Sequence, residues 1–332
     1  MSEQGTPPAA ATDEGSEVVP HEEPIVVVKD LCVHYGKMQA VSRVSFSIPR
    51  GEVFGFIGPN GAGKTSTIKV LATLLRPTSG SAHIAGIDVL RHPMKVRTKI
   101  GYVPDFFGVY EDLTTRQYMH FFAAAFGVPG SERDRLVEDL LRLTDLFDKL
   151  DAQVDSLSRG MKQRLSLARV LLHDPEVLLL DEPASGLDPR ARIEIREFLK
   201  ELQRMGKTIL ISSHILHELA HLCTRIGIIE AGKLVVDGSL QEIYRTLDAR
   251  RSVHVQLADP SPELIAGIRL ISGVADLHVE SDRIALELRE DELPVEDLLD
   301  AIHALGARIR MFQPEAMDME TVFMKLTEGK TA

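Results

Sequence analysis

The stretch GPNGAGKT, residues 58–65, follows the apolar run EVFGFI and precedes TSTIKVLATLL, a helical pattern ended by Pro77 and Gly80. No other feature restricts the chain as much, because G-x-x-x-x-G-K-[ST] between a strand and a helix is built to cradle phosphate. The glycines let backbone N–H groups turn inward around phosphate oxygens, and the helix N-terminus adds partial positive charge. The candidate loop comprises Gly58, Pro59, Asn60, Gly61, Ala62, Gly63, Lys64 and Thr65, with Ser66 beyond it. Lys64 would reach the terminal phosphates of a nucleotide, and the Thr65 hydroxyl would ligate Mg2+.

A second element is VLLLDEP, residues 177–183. VLLLD and the later TILISS are continuous apolar runs, the pattern of strands buried on both faces of a parallel sheet. Such sheets bind ligands at the carboxyl ends of their strands. Asp181 stands at that end, where a carboxylate can hold Mg2+ directly or through water. Glu182 follows, placed to orient or deprotonate a water attacking the γ-phosphate. Together the two elements predict an α/β fold with an ATP site at the sheet edge.

The segment LSRGMKQRLSLARVLL, residues 157–172, narrows the class. A serine followed by a glycine at a helix N-terminus offers a hydroxyl and bare N–H groups to another phosphate. At this point the sequence resembles the ATP-binding subunit of an ABC transporter, whose signature is usually LSGGQ. The resemblance covers residues 25 to about 245, with the motifs in the family's order. It implies a P-loop NTPase core and a head-to-tail homodimer in which Ser158, Arg159, Gly160 and Met161 close on ATP held by the second copy. Arg159 and Met161 depart from the family's glycine and glutamine, while Ser158 and Gly160 remain.

Other positions match individually. Tyr35 corresponds to the aromatic residue that stacks on adenine. Ser185, Gly186, Leu187 and Asp188 resemble the loop linking the two active sites across the dimer. His214, in ILISSH, resembles the histidine that contacts the γ-phosphate, where an imidazole can donate to developing charge. GYVPDFFGV resembles the loop joining the ATP site to a membrane partner, but Asp105 stands where the family usually has glutamine. A carboxylate can replace an amide oxygen on Mg2+, though it is one methylene shorter. Phe106 and Phe107, with Val109 and Tyr110, would form a docking surface for a permease helix. The resemblance is closest to type-two exporters, through the small terminal domain ending in METVFMKLTEG. It implies a separately encoded membrane permease and a cytoplasmic protein peripheral to the inner face of the cell membrane.

At 332 residues the chain can hold one large domain and a small one. Residues 1–24, with six acids and no Lys or Arg, read as a disordered acidic leader. Residues 25–245 form the ATP-binding domain, with a helical subdomain at about 106–172. Residues 250–332 read as β-α-β-β-α-β, a ferredoxin-like accessory domain. Of the net charge of −11, the leader holds −6 and residues 250–332 hold −7, so the middle carries +2. No basic face for nucleic acid is expected. No apolar run reaches the roughly 18 residues that span a bilayer, and no secretory signal is visible. Cys32 and Cys223 are expected to be reduced packing residues. A non-transport ABC-type ATPase working on nucleic acid or ribosomes is an alternative. A remoter one is a zinc metalloprotease, because His217, Glu218 and His221 fit H-E-x-x-H.

Overall fold

The computed structural model describes residues 23–105, 108, 112–215, 219, 222–239, 242, 243, 251–280, 283–289 and 292–314. Residues 1–22 of the leader, Phe106, Phe107, Val109, Tyr110, His217, Glu218, Ala220, His221 and the METVFMKLTEG segment lie outside the described residues.

Two strands open the fold, β1 (Val26–Tyr35) and β2 (Met38–Ile48), paired antiparallel. The next strand, β3 (Val53–Ile57), is buried along its whole length and feeds α1 (Lys64–Leu71) through the glycine-rich loop. Then come β4 (Ser79–Ile84), β5 (Ile87–Asp88), α2 (Pro93–Arg97) and β6 (Ile100–Val103). Three helices follow: α3 (Thr115–Ala125), α4 (Gly130–Leu143) and α5 (Arg159–Leu171). The α/β pattern resumes with β7 (Val177–Asp181), α6 (Pro189–Arg204), β8 (Thr208–Ser213), β9 (Arg225–Glu230) and β10 (Lys233–Ser239).

These strands make two sheets. One is antiparallel, in the order β2-β1-β4-β5; the other has six strands in the order β10-β9-β3-β8-β7-β6. In the second, β9, β3, β8, β7 and β6 run parallel, and β10 is antiparallel at the edge. The continuous apolar runs have a direct cause in this arrangement. Phe54 and Phe56 of β3 pack with Phe46, Ile68 and Leu71 on one face, while Val53 and Ile57 join Leu178, Leu180, Ile209 and Ile211 on the other. Successive side chains point to opposite faces, so a strand covered on both sides must be apolar at every position. The Phe46 and Phe54 rings stack with centroids 5.1 Å apart. Truncating a ring such as Phe54 to alanine would cost about 3–5 kcal/mol.

The helical part has its own logic. Thr114 caps α3 in a capping box with Gln117, each side chain bonding the other's backbone N–H. Tyr118, fully buried, accepts a hydrogen bond from Arg169 Nη1 of α5 at 3.3 Å. The same guanidinium lies 5.0 Å from the Phe122 ring centroid, which satisfies its charge among apolar neighbours.

Beyond residue 250 the order is β11 (Arg251–Leu257), α7 (Pro262–Arg269), β12 (Val274–Glu280), β13 (Arg283–Leu288), α8 (Val295–Ala304) and β14 (Ile309–Pro314). The four strands form an antiparallel sheet in the order β12-β13-β11-β14, the split βαβ connectivity. Alternate residues of β11 (Val253, Val255, Leu257) and β13 (Ile284, Leu286, Leu288) bury against Ile268 of α7 and Leu298 and Ile302 of α8. This is a hydrophobic cluster separate from the two that enclose the large sheet.

Candidate functional site

The glycine-rich loop is shaped by its walls. A Cβ on Gly58 would fall 2.2 Å from the Ile229 carbonyl oxygen of β9, and one on Gly63 would fall 2.5 Å from the Ala40 carbonyl of β2. Gly63 also sits at φ 106°, a backbone state that L side chains rarely adopt. Gly232 N–H donates to Ala62 O (3.1 Å) and Ser42 N–H donates to Gly232 O (2.7 Å), tying the loop to both sheets. Lys64, only 5% exposed, donates from Nζ to Gly58 O at 2.6 Å and Pro59 O at 3.2 Å. Its ammonium is thus held across the loop by neutral carbonyls, and a phosphate oxygen would offer it a charged acceptor.

β7 delivers the acids. Asp181, 1% exposed, accepts at Oδ1 from Ser212 Oγ (2.7 Å) and from Thr65 Oγ1 (3.1 Å). Burial pushes its carboxyl above the ordinary carboxylate range; the two hydroxyl bonds oppose this, and the charges of Glu182 and Asp105 add to it. A divalent cation would relieve that penalty, and a hydroxyl beside a carboxylate is a donor set that suits a hard one. Thr65 and Asp181 therefore fit Mg2+.

Glu182 occupies an unusual backbone state, φ 50°, secured by its N–H donating to Ser212 Oγ at 2.9 Å. The turn swings its carboxylate back over the loop. Oε2 lies 2.7 Å from His214 Nδ1, and Oε1 lies 3.3 Å from Lys64 Nζ, an ion pair without hydrogen-bond alignment. Ser212, fully buried, supports both acids at once, and the sequence reading missed it. Its only signal was a polar residue inside the apolar run TILISS.

Tyr35 ends β1 with 45% of its surface exposed and its hydroxyl 3.3 Å from Ser66 Oγ, so its ring stands free beside the start of α1. Asp105 is exposed just past β6, whose Val103 pairs with Leu180 of β7, so it emerges on the same sheet edge as Asp181. Burial, then the charges of Asp181 and Asp105, push the Tyr102 phenol up to about 12.

The signature residues stand at a helix start, as expected. Ser158 caps α5 by accepting from Met161 N at 3.2 Å, and Asp188 caps α6 by accepting from Ala191 N at 3.0 Å. Leu187 is buried and Gly186 adopts φ 65°. Among the described residues, no hydrogen bond or ion pair joins residues 158–161 to residues 58–65 of the same chain.

His217, Glu218 and His221, the residues of the zinc alternative, lie outside the described residues, while the nearby His214 faces Glu182. Among the described residues no group of three or more His, Cys, Asp or Glu side chains could hold a metal ion by itself. Cys32 and Cys223 are buried free thiols, and burial pushes the Cys223 thiol well up.

The chain is similar to known proteins. The family described as ABC transporter matches residues 41–185. Over 307 residues the chain is 39% identical to Nod factor export ATP-binding protein I of Ralstonia nicotianae, covering 92% of this chain and 94% of that protein. It is 30% identical over 299 residues to the linearmycin resistance ATP-binding protein of Bacillus subtilis, covering 90% and 96%. A solved ATP binding subunit of an ABC transporter superposes with a TM-score of 0.62 at 33% identity, over 68% of this chain and 94% of that one. The structure of cbiO1 from Clostridium perfringens, described as part of the ABC transporter complex cbiONQ, superposes at 0.61 with 29% identity, over 68% and 92%. Among the described residues no helix is long and apolar enough to cross a membrane. With a phosphate loop, signature and paired acids in that order, and relatives matched along nine tenths of its length, the chain belongs to the ATP-hydrolysing, ATP-binding proteins of ABC transporters.

Proposed function

We propose that the chain energises a separately encoded membrane permease, as an exporter subunit, through an ATP-driven head-to-tail homodimer. The observation that carries this reading is the convergence of Lys64, Thr65, Asp181, Glu182 and His214 at one edge of the parallel sheet. The relatives named for export and for resistance support the exporter assignment. Phosphates would lie in the cradle of residues 58–65, with Tyr35 against adenine. Thr65 and Asp181, with Asp105 near them, would hold Mg2+, which when bound supplies positive charge to the phosphate oxygens. Glu182 would orient the attacking water and accept its proton, and His214 would hold that carboxylate and face the γ-phosphate.

Residues 158–161 would complete the site of the second copy, with residues 185–188 between the two sites. Closure then favours the ATP-bound dimer, and hydrolysis releases it; the work lies in the differential affinity of the two states for ATP. The protein would sit in the cytoplasm at the inner membrane face, with Asp105 and the aromatic residues after it toward the permease. The accessory domain from about residue 250 would stabilise the dimer. The direct test is Glu182→Gln, expected to trap an ATP-bound dimer in size-exclusion chromatography. A monomer at saturating ATP would overturn the head-to-tail dimer, and loss of the last 83 or so residues without effect on self-association would overturn the role given to the accessory domain.

A further inference from the structure

The first turns of α5 and α6 touch. A Cβ added to Gly160 would meet the Ala191 Cβ at 3.0 Å. Each turn is closed by its own cap, Ser158 on Met161 N and Asp188 on Ala191 N. The Arg159 side chain reaches across this seam to the SGLD loop. A Cβ built on Gly186 would fall 2.4 Å from Arg159 Nη1, 2.5 Å from Cζ and 2.7 Å from Nη2. Three nearly equal distances mean that the guanidinium lies flat over the Cα of Gly186, where a side chain would otherwise be. Gly186 is favoured by its φ of 65°, and a Cβ there would have to displace the guanidinium from its place.

Arg159 is exposed, and among the described residues neither an ion pair nor a hydrogen bond engages its guanidinium. A planar, weakly hydrated cation stacks on backbone more readily than a compact ammonium does, which suits this position. Its neighbours along the chain are the residues that would meet the second copy's nucleotide. The loop it covers would meet the second copy as well.

We propose that Arg159 is a positioning residue: by stacking on Gly186 it locks the SGLD loop to the signature turn of its own chain, so that both dimer-facing elements move as one body. This inference rests on the head-to-tail reading. A chain with glycine at 159 has a loop free to settle separately, so each closure must order it at an entropic cost.

The test uses the full chain and ATP. In the Glu182→Gln background, ATP-dependent dimerisation reports on the head-to-tail reading by itself, and a monomer there would overturn both claims. With the dimer formed, adding Arg159→Gly is expected to weaken it about tenfold at fixed ATP, with monomer affinity for ATP within about twofold. With Glu182 native, Arg159→Gly should lower kcat several-fold and change KM for ATP little, because the loose loop is ordered at closure and not when ATP meets the open monomer. Arg159→Lys keeps the charge but loses the plate, and should behave like the glycine variant. Full rescue by lysine would overturn the stacking account. Gly186→Ala should cost less kcat in the Arg159→Gly background than alone, because the clash with the guanidinium is gone; independent effects would overturn the coupling. An Arg159→Gly dimer as tight as its parent, whatever its melting temperature, would overturn the proposal outright.

Discussion

His214 Nδ1 stands 2.7 Å from Glu182 Oε2, while the other carboxylate oxygen faces Lys64 Nζ at 3.3 Å. One carboxylate is therefore held between an imidazole and an ammonium, on a backbone turned to φ 50° by Ser212. Removing the imidazole leaves Glu182 free to swing toward Lys64. His214→Ala should lower kcat by about 100-fold or more, the usual effect of losing one preorganised donor or orienting group. Equilibrium ATP affinity should stay within a few-fold. Steady-state ATPase assays beside binding titrations check this, and an equal loss in both would contradict it.

Lys64→Ala should lower ATP affinity by roughly 30- to 150-fold, because charge-assisted bonds to phosphate contribute about 2–3 kcal/mol. Two effects act in one direction here: the phosphates lose a cation, and Glu182 loses the ion pair that neutralises it. Calorimetric titration of ATP measures the loss. Unchanged affinity would sink the phosphate-loop assignment.

Asp105 adds a negative charge on the sheet edge that already carries Asp181 and Glu182. Asp105→Gln removes that charge while keeping an oxygen donor, so it should shift the Mg2+ concentration for half-maximal hydrolysis by about two- to tenfold. Asp105→Ala removes the donor too and should shift it further. Titrating Mg2+ against ATPase rate decides the matter; three superimposable curves would remove Asp105 from the site.

Glu176 gives a pH test away from the nucleotide. Its carboxylate accepts from Arg50 Nη1 at 2.9 Å and Lys99 Nζ at 2.6 Å, and those bonds hold it below the ordinary glutamate value. A folded-state value that is depressed stabilises above the unfolded value and loses that contribution as pH falls through the folded one. The group is partly exposed, so Glu176→Gln should cost only about 1 kcal/mol at pH 7. The difference from the parent should shrink below about pH 4.3, the unperturbed value for glutamate, and vanish further down. Denaturant midpoints of the two proteins at several pH values give the comparison.

The parts of the site written within a few adjacent residues could be read without a structure. Residues 58–65 carry their own turn chemistry, and VLLLD ends in its acid, so motif and strand end coincide. Period-two alternation in SVHVQLA likewise made β11 recognisable. Ser212 was not readable, because its partnership with Asp181 exists only through the parallel register that sets those residues opposite each other in β7 and β8. Nothing local in DEP announces the φ of Glu182, which depends on a hydroxyl from β8. The lid of Arg159 over Gly186 arises from the meeting of two helix starts in space. Strand order in the large sheet is of the same kind: β3 lies between β8 and β9, both far along the chain.

The walls of the phosphate loop have a consequence for synthesis. Ile229 and Gly232, which confine Gly58 and tie down Ala62, leave the ribosome long after the loop itself. A nascent chain that has emerged only through α1 carries the whole nucleotide motif but lacks the partner surface that holds it in shape. The surface that shapes the phosphate grip is therefore complete only once β9 and its turn have been made, after both acids.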